Sequence, residues 1–174
     1  MLTLRCTQVV RKRLALAGSL PEPALPGTLL GAWYLHLIRV GPQQVVMATS
    51  ERSLLTVLLP AEELRRSVAS NLRLALRDLL IALEIPLDAV QREIALMDPI
   101  AFGNAVNRRV IGSMNDFAYQ LDAYVGDTSD PLELALKLCE TPMSAIGSQS
   151  SYGIPKDIAR ELLSGPYTGP ILHH

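Results

Sequence analysis

The sequence predicts an α+β domain: a small antiparallel sheet of about four strands covered by about five helices. Three observations carry that expectation. Between Ala32 and Leu59 three strand-like runs follow one another through short loops. From Pro60 onward apolar residues recur every three or four positions, the period of a helix. Ahead of both, Leu2, Leu4 and Cys6 alternate with Thr3 and Arg5, as in a strand.

That N-terminal strand leads to Thr7, placed to cap a short helix with Val9, Val10 and Leu14 as its apolar stripe. Arg5, Arg11, Lys12 and Arg13, with no acid before Glu22, also resemble a transit peptide, but the alternation and the stripe favour folded structure. Gly18 to Gly27 holds three prolines and two glycines, which marks a surface loop. The meander follows. Ala32–Val40 stops at Gly41-Pro42, Gln44–Thr49 ends at the polar turn Ser50–Ser53, and Leu54–Leu59 ends at Pro60. Loops this short join antiparallel neighbours, because a parallel return needs a dozen or more residues. Trp33, Leu35 and Leu37 face one way, but Tyr34, Ile38 and Val40 opposite them are largely apolar too. Both faces of the sheet should therefore be covered, by helices or by a partner subunit.

Past Pro60, Leu64, Val68, Leu72, Leu76, Leu79, Leu80 and Leu83 mark the longest helix, with Glu62 and Glu63 in its first turn. Leu74, Leu76, Leu79 and Leu83 are expected to share a core with Trp33 or Leu35 and with Leu58. Pro86 opens a helix carrying Val90, Ile94 and Met97, which ends at Asp98-Pro99. Ile100-Ala101-Phe102 is a further strand candidate before the turn at Gly103-Asn104. A helix then runs from about Asn107 to Val125, on Val110, Met114, Phe117, Leu121 and Tyr124. Asp130-Pro131-Leu132-Glu133 reads as a cap, a first-position proline and a capping-box acid. Met143 to Gly153 reads as loop, and Pro155 starts a last short helix ending at Gly165. The single domain is thus placed at 1–165, with a frayed tail at 166–174.

Composition narrows the function classes. No apolar run approaches the roughly 20 residues of a membrane span. Residues 1–80 hold ten Lys/Arg against five Asp/Glu, and residues 81–174 hold six against twelve, too mild an asymmetry for a nucleic-acid footprint. Cys6 and Cys139 are far apart and lack clustered histidines, so no metal or cofactor site is expected; buried thiols in a reducing cytoplasm are. Cys6 with His36 is the one conceivable nucleophile–base pair, without a recognisable orienting group. No GxGxxG, GxxxxGK[ST], HExxH or GxSxG occurs, and the reading leans away from an enzyme.

The most informative polar cluster is Asn107-Arg108-Arg109-Val110-Ile111-Gly112-Ser113-Met114-Asn115-Asp116. Asn107 is an N-cap candidate, while Arg108 and Arg109 stand where the helix dipole prefers acids. With Ser113 one turn on, and Asn115 and Asp116 beyond, the turn could hold an anion such as phosphate. The competing expectation is that the arginines pair with carboxylates, and that Gly112 admits a neighbouring helix.

Leu2-Thr3-Leu4-Arg5-Cys6-Thr7 before a basic helix, Gly31-Ala32-Trp33-Tyr34 entering the meander, and Asn107–Asp116 opening the central helix resemble a family of uncharacterised bacterial proteins, a domain of unknown function. In some members a similar domain precedes a second small domain named from a plasmid open reading frame; this chain ends without it. The resemblance implies a single cytoplasmic α+β domain and brings no activity with it. The leading expectation is a non-enzymatic binding or protein-interaction module, homodimeric through a sheet face or edge. An enzyme acting on phosphate or nucleotide ligands through Asn107–Asp116 comes second, and a nucleic-acid accessory protein third.

Overall fold

The computed structural model describes residues 1–146 and 152–166. In chain order these form β1 (Leu2–Cys6), α1 (Gln8–Arg13), β2 (Trp33–Val40), β3 (Gln43–Ser50), β4 (Thr56–Pro60), α2 (Leu64–Ala82), α3 (Leu87–Ala95), β5 (Ile100–Asn104), α4 (Arg108–Tyr124), α5 (Pro131–Leu138) and α6 (Pro155–Ser164). The architecture is α+β as expected, with one five-stranded sheet ordered β4-β3-β2-β1-β5.

The meander β2-β3-β4 is antiparallel throughout. Its first turn is the two-residue Gly41-Pro42, with Val40 paired to Gln43 and Gly41 at φ +58°, the conformation wanted at the first position of a tight hairpin turn. The N-terminal strand departs from the expected antiparallel pattern. β1 lies between β2 and β5 and runs parallel to both, so the sheet is mixed. Residues 7–32 are long enough to carry the chain back to the start of β2, which a short loop cannot do.

Both faces of the sheet are covered. On one, Leu2, Leu4, Trp33, Leu35, Val46 and Val57 pack with Leu72, Leu76, Leu79 and Leu80 of α2, and with α3 and α6. On the other, Tyr34, Ile38, Val40, Met47 and Leu58 pack with Val110, Met114, Phe117 and Leu121 of α4. Each leucine so buried contributes about 1.5–3 kcal/mol. α5 packs along β4 and joins the two layers: Leu134 and Leu138 belong to the second cluster, Ala135 and Cys139 to the first.

Several expectations change in detail. Leu76, Leu79 and Leu83 share a core with Trp33 and Leu35, but Leu58 lies on the opposite face and Leu74 is 51% exposed. Leu74 falls off the stripe that the other leucines define. Glu62 precedes α2 in a separate 3-10 turn, Ala61–Glu63, and Ser67 (φ −166°, ψ 54°) kinks the helix after its first turn. Within Met143–Gly153, Met143 and Gly153 pair as an isolated bridge and Ser144–Ile146 forms a 3-10 turn; residues 147–151 lie outside the described part, as does most of the expected tail.

Candidate binding site

The start of α4 shows how the sequence-marked cluster is used. The Asn107 side chain accepts from the Arg109 N–H at 3.0 Å, which is the expected cap. Its amide donates to Glu51 at 3.3 Å, and its backbone N–H donates to the Tyr34 hydroxyl, also at 3.3 Å. Tyr34 in turn donates toward Glu51 at 3.4 Å. Burial, then the Glu51 carboxylate, push the Tyr34 phenol up, which keeps it a neutral donor. Asn107 thus latches α4 to the sheet.

The remaining members do not converge. Ser113 is buried and donates to the Arg109 carbonyl at 3.0 Å, one turn back in its own helix. Arg108, Arg109, Asn115 and Asp116 are exposed. Among the described residues neither arginine has an ion pair or a side-chain hydrogen bond. Gly112 admits no helix either, since an added Cβ there would meet nothing within 4 Å. Arg5, by contrast, is paired with Glu22 and donates to the Asn104 carbonyl at 3.2 Å.

Cys6 and His36 are separated by the sheet. Cys6 is in register with Leu35 and faces the α2 layer, whereas His36 faces the other way. The His36 Nδ1 meets the Thr7 hydroxyl at 3.0 Å, and burial pushes its pKa down. Burial pushes the Cys6 thiol up to about 12 and Cys139 up to about 11, so neither is a ready nucleophile. Both are free thiols.

The principal concavity lies at the hairpin end of the sheet. It is a cleft of about 570 Å³ between the β2–β3 turn, the end of β4, the end of α4 and the start of α5. Val40, Val45, Leu58, Leu59, Val125 and Leu134 line it, with Arg13, Gln43, Gln44, Glu62 and Ser129 as its polar members. Its volume falls within the roughly 300–1,000 Å³ of small-molecule sites, and an apolar lining with a few polar groups is their usual make-up. The Arg13 guanidinium is held at the rim by the Gln44 side-chain oxygen, and the Arg13 carbonyl accepts from Arg65 Nε at 2.6 Å. Val125, at the end of α4, closes one wall beside the Gly41 turn.

These lining residues come from distant segments, and no local pattern announces them. A smaller, more open crevice of about 380 Å³ sits where β1 and β5 end, lined by Thr7, Arg11, Asn104 and Ile111 among others. The connections from β1 and β5 leave toward opposite faces of the sheet there, a place where open sheets often bind ligands. Among the described residues no group of three or more His, Cys, Asp or Glu side chains is arranged to hold a metal, and no helix is long and apolar enough to cross a membrane.

No curated protein and no solved structure matches the chain. One family model does, over residues 3–158, which takes in four strands whole, all of β1 but Leu2, and α1 to α5. On that match the chain belongs to the family described as domain of unknown function DUF6933.

Proposed function

We propose that this chain is a non-catalytic binding module that takes a small, mostly apolar ligand with one anionic group into the cleft at the hairpin end of the sheet. The observation that carries the reading is the cleft itself: apolar walls from β2, β3, β4, α4 and α5, with Arg13 at the rim. An apolar wall supplies affinity, and a guanidinium supplies orientation through paired donors. Binding without chemistry fits a lining that contains no thiol, histidine or paired carboxylates. A cytoplasmic setting fits two buried free thiols.

The phosphate- or nucleotide-ligand reading ranks second. Arg108 and Arg109 are open to solvent and unpaired among the described residues, but Ser113 is committed to its own helix and Asn107 to Glu51. The nucleic-acid reading ranks third.

The test uses anilinonaphthalene sulfonate, an aromatic anion matched to the cleft. Its fluorescence should rise with the native protein. Val45→Glu should abolish the rise and Arg13→Ala should weaken it several-fold, with unchanged circular dichroism. A rise that ignores both substitutions, or none with the native protein, removes the cleft as the site.

A further inference from the structure

The two edges of the sheet are treated differently. β4 packs against α5. β5 pairs with β1 on one side, and among the described residues no strand pairs with its other side and no helix packs broadly against it. Leu2 donates to the Pro99 carbonyl and Ala105 donates to the Cys6 carbonyl, which fixes the alternation: Ala101 and Gly103 point their backbone groups at β1, while Ile100, Phe102 and Asn104 point theirs outward. The outward groups of Ile100 and Phe102 have no partner among the described residues, and the Asn104 carbonyl accepts only from Arg5 Nη1. A carbonyl oxygen has a second lone pair.

Sheet edges that stay single usually carry lysine, an inward charge, a bulge or a proline. β5 reads Ile-Ala-Phe-Gly-Asn and has none of these. Ile100 at its start is 40% exposed, and Phe102 is half-buried on the same face. On the opposite face the strap of residues 18–27 runs alongside. Pro23 fills the space over Gly103, where a Cβ would come within 2.9 Å, and Leu25 beside it is 91% exposed.

We propose that the chain forms a two-fold symmetric dimer by antiparallel pairing of β5 with the β5 of a second copy. The axis passes at Phe102, so Phe102 meets its own counterpart and Ile100 meets Asn104. The strand is uncharged, so no like charges face one another, and a net charge of −1 per chain gives the copies little reason to repel. The pairing satisfies the outward backbone groups, covers Phe102 further, and makes one sheet continuous across both copies. A strand this short buries less than the roughly 800 Å² per partner of a standard interface, so the dimer is a micromolar one.

Light scattering as concentration is raised through the micromolar range should move the particle from 19.0 kDa toward twice that mass. Ile100→Lys should hold it at the monomer mass with an unchanged melting temperature, since Ile100 is partly exposed. Amide exchange gives the second readout: the N–H groups of Ile100, Phe102 and Asn104 should gain protection as the dimer forms, while those of Ala101 and Gly103 are protected throughout. A particle that stays monomeric at every concentration overturns the proposal and leaves the edge to an extended segment of an unlike partner. A dimer in which those three amides stay unprotected overturns it too.

Discussion

Glu93 is a carboxylate in a place closed to water. It is fully buried on α3, and it receives the backbone N–H groups of Leu29 and Leu30 at 2.8 and 3.0 Å. The two bonds tie down the segment that enters β2, and Arg52 holds the Leu29 carbonyl at 2.9 Å from the other side. Burial raises the Glu93 pKa above its ordinary 4.5, against the pull of those N–H groups and of Arg52 and Arg92. A raised pKa in the folded state means that the contribution is fully present below 4.5 and is lost as pH rises through the folded value. Glu93→Gln removes the titration and turns a donor toward one of the two N–H groups. Melting temperatures of the two proteins compared across the weakly acidic range should therefore show the wild type gaining on the variant as pH falls. A difference that is flat, or that grows toward alkaline pH, would sink this account. The sequence does hold a signal for this residue: Glu93 lies four residues after Ala89 and three after Val90, on the buried stripe of its helix. The caps Asn107 and Asp130 are legible in the same way, because a cap is a local device.

α2 separates what a pattern of leucines says from what packing says. Leu72, Leu76, Leu79 and Leu80 are fully buried against the sheet, and Leu74 stands on the far side of the same helix. Chemical denaturation should find Leu79→Ala less stable by about 2–5 kcal/mol and Leu74→Ala changed by no more than about 0.5 kcal/mol. A Leu79→Ala loss below about 1 kcal/mol would take α2 off the sheet. The period identified this helix, and it identified α4 and α6 as well, since burial on one face writes itself into spacing. The position of β1 was not written there. Alternation shows that residues 2–6 form a strand, but which neighbours they take depends on where residues 7–32 carry the chain. The hairpin-end cleft was hidden for a related reason: Arg13, Val45, Leu58, Val125 and Leu134 meet only once the whole sheet is assembled.

At the scale of the molecule, two apolar layers share one sheet, and α5 belongs to both. That coverage accounts for the strands that are apolar on both faces. Cys6 and Cys139 sit in the same layer although they are remote in sequence. With their pKa values pushed up to about 12 and about 11, the thiolate fraction near pH 8 is about one in a thousand or less. Labelling by an aromatic disulfide reagent in native buffer should therefore be slow, and both thiols should react together, at the rate of global unfolding. One thiol reacting alone and quickly would show that the layer opens in parts.

The place of β1 also sets an order in time. Of the described strands it is made before the others, and Leu2 finds its β5 neighbour, Ile100, about a hundred residues later. At about 5–20 residues per second, translation holds one side of β1 open for on the order of 5–20 s. Of the described strands, β1 thus waits longest for its second neighbour.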